Sequence, residues 1–193
     1  MTNVQQTRRQ YTLDDYFSIQ RGIEVKLEYF NGEIYVMAGG SASHYRISRN
    51  VLRLFEAGLA RSSCEAFGSD MRVSTPSGLY TYPDGSVICG PKVSGAAETL
   101  SNPIVIVEVL SDSTRNYDRG EKFDLYRSIP ALRHYLLIEQ NFRHVEHRRL
   151  ESEWTTEIID SPDGIVRISG VSVDLSISDI YEGVEFASLR SSS

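Results

Sequence analysis

The stretch Asn102-Pro-Ile-Val-Ile-Val-Glu-Val-Leu-Ser111 is a run of β-branched and apolar residues with a single carboxylate, Glu108, in its middle. Such a run reads as a strand covered on both faces. A strand of that kind needs a layer on each side of its sheet, which makes the class α/β, with helices on a largely mixed sheet. Glu108 is then the anomaly. An ionised carboxylate is almost never buried alone, because desolvating its charge costs several kcal/mol. It needs a cation, a metal or a catalytic task.

Two other residues have the chemistry to answer it. Tyr82-Pro83-Asp84 puts a second carboxylate at the edge of another strand, and Lys122 lies on an amphipathic helix downstream. On that helix Asp118, Lys122 and Tyr126 share a face by their i, i+4 spacing. Metal-assisted phosphodiester hydrolysis uses hard oxygen ligands, commonly two carboxylates, a backbone carbonyl and waters. A lysine beside them can orient the attacking water or neutralise developing charge. Asp84, Glu108 and Lys122 are the right types for those tasks. The bland alternatives are a Pro-Asp-Gly turn at Asp84, an ion pair of Glu108 with Arg115 or Arg119, and a solvated helix lysine at Lys122.

Outward from that strand, local patterns place the other elements. Thr12-Leu-Asp-Asp-Tyr-Phe17 predicts a short helix capped by Thr12. Asn31-Gly32 predicts a two-residue hairpin turn between 25–30 and 33–37. Apolar residues at 47, 51, 52, 54, 55 and 59 have a helical period over Ser43 to about Ala60. Short strands are expected near 65–67, 71–74, 79–82 and 86–89, an exposed loop over 90–101, and a helix from Asp118 to about Ser128, stopped by Pro130. Strands are expected again near 134–139, 143–149, 153–159 and 165–169. The segment 173–181 fits either a strand or a short helix.

At 193 residues the chain is expected to form a single domain, 1–193, long enough for a sizeable core. No stretch approaches the roughly 18 apolar residues of a membrane span. The N-terminus lacks the apolar core of a secretory signal. Cys64 and Cys89 form no metal spacing, and the expectation is two reduced thiols in a cytoplasmic protein. The net charge of −6 is unevenly distributed: residues 1–150 carry 18 basic and 17 acidic residues, residues 151–193 carry 2 and 9. The acidity thus belongs to the C-terminal part. This argues against tight non-specific nucleic-acid binding but leaves metal-assisted cleavage open.

The run Tyr82-Pro-Asp84, the 102–111 strand and Ser113-Thr-Arg-Asn-Tyr-Asp-Arg-Gly-Glu-Lys-Phe-Asp-Leu-Tyr-Arg127 together resemble the Uma2 family of restriction endonuclease-like proteins (domain of unknown function 820). Asn31-Gly-Glu-Ile-Tyr-Val-Met37 followed by His44 resembles the family's opening. Ile129-Pro130 and His134-Tyr-Leu-Leu-Ile138 resemble a later strand. The resemblance implies a PD-(D/E)XK nuclease fold: a restriction endonuclease-like mixed β-sheet flanked by helices, here with additional C-terminal β-strands. It implies Asp84 and Glu108 as ligands of Mg²⁺ or Mn²⁺, DNA as substrate, and a homodimer. In a standard signature the lysine falls two residues after the Glu, where this chain has Leu110. In the Uma2 pattern the following helix supplies it, so the role passes to Lys122. Gly85 stands where an apolar strand residue is expected, and a glycine there is expected to loosen the hold on Asp84.

Glu33, opening a strand after the tight turn, and His44, beginning a helix, are further candidates, for a second metal and for phosphate contact or proton transfer. His144, Glu146 and His147 lack helical His-Glu-x-x-His spacing and are expected on the surface. Late edge strands with Tyr135, Phe142 and Trp154 nearby would suit a homodimer. The leading expectation is a metal-dependent endonuclease. The alternative from another class is a catalytically silent nuclease-fold binding or assembly module, and a third reading is hydrolysis of a small phosphoester.

Overall fold

A computed structural model describes residues 10–37, 39–91 and 99–186. The chain opens with α1 (Leu13–Arg21) and a hairpin of β1 (Leu27–Phe30) and β2 (Glu33–Val36), followed by the long α2 (Ala42–Leu59). Then come β3 (Cys64–Gly68), β4 (Val73–Ser74), β5 (Tyr80–Thr81), β6 (Gly85–Cys89) and β7 (Val105–Leu110). Two short helices, α3 (Arg115–Arg119) and α4 (Glu121–Tyr126), lead to β8 (His134–Glu139), β9 (Val145–Arg149) and β10 (Thr156–Ile159). A hairpin of β11 (Ile165–Ile168) and β12 (Val173–Ser176) runs into α5 (Ile177–Ile180).

The main sheet has six strands in the order β10-β9-β8-β7-β6-β3. Only the β7–β8 pair in it is parallel, joined through α3 and α4 as a parallel crossover requires. Every residue of β7 is buried, as its unbroken apolar run predicts. Its side chains divide by alternation. Val105, Val107 and Val109 join a core with Ile47, Val51 and Phe55 of α2 and with Val173, Leu175 and Ile177. Ile106 and Leu110 face the other way, into a core with Phe123, Tyr126, Ile129 and Leu132. Glu108 belongs to this second face. A four-stranded sheet, β2-β1-β5-β4, lies beside it, with α1 packing Tyr16 and Phe17 against it.

Local signals explain several element ends. Thr12 caps α1 with a reciprocal Thr12–Asp15 capping box. Asn31 and Gly32 both take positive φ, 48° and 81°, the turn that suits a twisted hairpin. Ser41 caps α2 by accepting from the backbone N–H of His44. The helix expected over 118–128 is instead two: Gly120, at φ −112° and ψ −103°, interrupts it between α3 and α4. The ambiguous 173–181 segment is strand and then helix. In the loop expected at 90–101, residues 92–98 lie outside the described ones. Leu100 is buried and bridges Val73, so the loop's end is core rather than surface.

Other expectations are corrected by the register. Cys64 lies directly opposite Cys89 in the β3–β6 ladder, and the two are joined as a disulfide rather than standing as separate thiols. Gly85 pairs with Gly68 and Val107 inside the sheet. A Cβ there would sit 3.4 Å from Val107 Cβ, an ordinary contact, so the sheet does not sterically require a glycine at this position. Tyr135 is fully buried, which removes it from any dimer surface. Glu146 and His147 are also buried, 7% and 1% exposed, because β9 is covered by the C-terminal hairpin on one side and by the α3 region on the other.

His147 is satisfied by a second buried histidine. His134 Nε2 lies 2.9 Å from the Ser169 carbonyl, so that nitrogen carries the hydrogen. His134 Nδ1 is therefore an acceptor, and His147 Nε2 donates to it at 3.0 Å. Burial, then the neighbouring His134 and Arg149, push His147 from 6.5 down to about 3. The unfolded chain thus binds a proton that the folded chain refuses. Stability is full above the unfolded value and falls as pH drops from about 6.5 toward 3, at up to about 1.4 kcal/mol per pH unit from this residue. Urea unfolding of wild type and His147→Gln across that range should show the steeper decline in wild type. Parallel curves would remove His147 as its source.

Candidate active site

Three segments meet at the carboxyl end of β7. The first is the entry to β6. Gly85 pairs with Val107, which brings Asp84 beside Glu108, and the backbone N–H of Val109 donates to Asp84 Oδ2 at 2.8 Å. This bond fixes the aspartate on the strand that carries the glutamate. The second is the first turn of α2. His44 Nε2 lies 3.2 Å from Asp84 Oδ2, and the ring also hydrogen-bonds the Val109 backbone.

The third is α4. Lys122 Nζ approaches Glu108 Oε1 to 2.9 Å, and Tyr126 donates its hydroxyl to the same oxygen at 2.7 Å. Lys122 and Tyr126 are one helical turn apart and reach the strand together. The ammonium also lies 3.2 Å from Glu28 Oε1 and 3.7 Å from Asp118 Oδ1. Glu28 comes from β1 and is held by the Thr81 hydroxyl, so the small sheet closes one wall of the site. Glu108, Asp118 and Lys122 are all 5% exposed or less.

The charges do not balance. Glu28, Glu108 and Asp118 surround one ammonium, with Asp84 adjacent. Burial pushes Glu108 up to about 8 against the pull of Lys122, and Asp118 and Asp84 push the same way. Burial also raises Asp118, although Lys122 and the Thr114 hydrogen bond oppose it. Burial works against the charge on Lys122, but Glu108, Glu28 and Asp118 outweigh it and hold the ammonium well above its ordinary value. Lys122 therefore keeps its proton, and Glu108 is an acid that gives up its own only reluctantly. His44 is lowered by burial but raised more by Asp84 and Val109, for a net rise.

Asp84, Glu108, Lys122 and His44 all converge here. Glu33 accepts from the Tyr35 hydroxyl at 2.5 Å on the same face of the hairpin as Glu28, and Glu28 is the hairpin acid that reaches Lys122. In sequence, Glu28 carries the signal that singled out Glu108, a carboxylate inside an apolar strand (Leu27-Glu-Tyr-Phe30). Glu108 pairs with Lys122; Arg115 and Arg119 engage Glu139 and Glu146 instead.

Among the described residues no group of three or more His, Cys, Asp or Glu side chains is arranged to hold a metal. Hard oxygens are nevertheless present, as the Asp84 and Glu108 carboxylates and the Val109 carbonyl that follows Glu108. Both donors to Glu108 use Oε1, which leaves Oε2 as the oxygen a cation would take. A surplus of buried negative charge and two carboxylates plus a carbonyl fit a hard divalent cation.

The fold is shared with a solved structure. A crystal structure from Anabaena variabilis, described as "a putative nuclease belonging to DUF820", superposes with a TM-score of 0.72 at 20% identity, covering 88% of this chain and 97% of that one. Two proteins of Synechocystis sp. (strain ATCC 27184 / PCC 6803 / Kazusa) are similar in sequence. "Uncharacterized protein slr1290" is 33% identical over 90% of this chain and 92% of its own length. "Uncharacterized protein sll1609" is 39% identical over 73% and 81%. The profile "Uma2: Putative restriction endonuclease" matches residues 13–178, and the chain belongs to that family.

Proposed function

We propose that the protein is a metal-dependent endonuclease that hydrolyses phosphodiester bonds in DNA, with Asp84, Glu108 and Lys122 as its catalytic residues. The observation that carries this reading is the surplus of buried carboxylate around Lys122 and Asp84, in a fold shared with a nuclease family. Asp84, Glu108 and the Val109 carbonyl would hold Mg²⁺ or Mn²⁺. A cation bound there supplies an acidified water and stabilises negative charge on the phosphate. Lys122, held by Glu28 and Asp118, points its ammonium at the carboxylate end of the site and neutralises charge that builds on the phosphate oxygens. His44 carries a proton at Nε2 against Asp84 and can pass it to a leaving oxygen.

One observation favours a second reading, a silent nuclease-fold binding module. Glu108 already receives two donors on one oxygen and sits at about 8, so near neutral pH the proton competes with any cation. Incubating supercoiled plasmid and single-stranded DNA with Mg²⁺ or Mn²⁺ separates the two. Wild type should nick or linearise DNA and Asp84→Ala should not. Cleavage by both would remove Asp84 from the mechanism, and cleavage by neither, with both folded, favours the silent module.

The same reading takes residues 1–193 as one domain and the cytoplasm as the place of action, where the DNA is; the Cys64–Cys89 disulfide is the observation that pulls against that location. No helix among the described residues is long and apolar enough to cross a membrane. A homodimer would use the edge strand β10, where Ile158 is 59% exposed, and sedimentation mass tests it.

A further inference from the structure

Beside the acid site, on the surface at the carboxyl ends of β7 and β8, two segments meet. Ser41, the cap of α2, donates its hydroxyl to Gln140 Oε1 at 2.5 Å, which ties the start of α2 to the turn between β8 and β9. Asn141 in that turn donates to Asp112 at 3.2 Å, which ties it in addition to the loop after β7. Each of the two segments then carries an exposed aromatic residue followed by an exposed arginine: Tyr45-Arg46 on α2 and Phe142-Arg143 in the turn. Tyr45 is 68% exposed and Phe142 50%. Exposed rings are informative when they gather in one patch; Tyr45 directly follows His44, which touches Asp84, and Phe142 lies against His144, ring centroids 5.8 Å apart.

Arg49 continues the basic line one turn along α2 from Tyr45 and Arg46. Neither Arg46 nor Arg49 has an ion pair among the described residues, whereas Arg53, a turn further, is held by Glu182 at 2.8 Å. In a chain of net charge −6, three exposed arginines stand here with two exposed rings; Arg46 packs its guanidinium on Gly183, and Arg143 lies 5.3 Å over the Phe186 ring. Rings offer stacking faces to any base, and arginines offer charge to phosphates. A duplex hides its base faces; an unpaired strand exposes them.

We infer that this aromatic–arginine patch, formed by Tyr45, Arg46, Arg49, Phe142 and Arg143, binds an unpaired polynucleotide strand and delivers it to the site at Asp84 and Glu108. The inference rests on the nuclease reading for its purpose but not for its test. Fluorescence anisotropy of the full chain in EDTA, with a labelled single strand and its duplex over a salt series, measures binding without cleavage. The single strand should bind more tightly than the duplex. Tyr45→Ala and Phe142→Ala should each weaken single-strand binding about tenfold. Arg46→Glu/Arg49→Glu should flatten its salt dependence by about 1.4 in log–log slope, the loss of two phosphate contacts. All these side chains are exposed, so circular dichroism and unfolding curves should match wild type.

Equal or tighter binding of duplex, variants that bind like wild type, or no binding by wild type at low salt would each overturn the inference. A protein that binds single strands through this patch yet never cuts DNA would sink the nuclease reading alone. Cleavage that is indifferent to the patch variants would sink this inference alone.

Discussion

Glu108→Gln is expected to abolish Mg²⁺- or Mn²⁺-dependent cleavage, by roughly a hundredfold to a thousandfold or more, while leaving the protein as stable as wild type. The two halves of that result come from the same geometry. Gln keeps the shape and can still accept from the Tyr126 hydroxyl, but it offers a cation no charge. Lys122 is not orphaned, because Glu28 and Asp118 remain beside it. Burial disfavours the ionised form of Glu108, so the wild-type site is more comfortable with the proton on. Its contribution to stability is full below about 4.5 and is lost as pH rises toward about 8. The Gln variant lacks that loss, so its urea midpoint should decline less than wild type between pH 6 and pH 8. Retained cleavage would take Glu108 out of the mechanism; a large loss of stability would make the Lys122–Glu108 contact a structural ion pair instead.

Lys122→Met should do the opposite to stability. It removes the ammonium from Glu28, Glu108 and Asp118 while filling the same volume with apolar atoms. Buried charges stripped of their partner typically cost about 3–5 kcal/mol. Cleavage should vanish as well, but the diagnostic is the pH response. With the cation gone, the carboxylates are relieved by protons, so the variant should regain stability as pH falls toward 5. Unfolding by urea at two pH values reads this directly. A variant as stable as wild type at pH 8 would show that water, not Lys122, satisfies the acids.

The expected contrast between the two variants tests what kind of site this is. A structural ion pair needs both partners. The two expected results together make one partner indispensable to folding and the other three an excess, which is the pattern expected of residues arranged for something that arrives later.

The unbroken apolar run around Glu108 determined a strand covered on both faces, and a carboxylate on the inside of it. The i, i+4 spacing of Lys122 and Tyr126 determined that they would share a helix face, whereas Asp118 comes to the same ammonium from α3, across the break at Gly120. Asn31-Gly32 and Thr12 likewise specified a turn and a cap, because those choices depend only on neighbouring residues. What no local pattern holds is which elements lie side by side. Glu28 carried the same signal as Glu108, yet only the docking of β1 against α4 decides that it faces Lys122. Gly120 divides a helix that its side-chain periodicity alone would continue. Cys64 and Cys89 become opposite partners only through the register of β3 and β6. His134 and His147 are buried because the turn after β11 covers them, 35 residues from His134 in the chain. Contacts of that range are set by how buried faces close on one another, and a sequence read locally specifies the faces but not the closure.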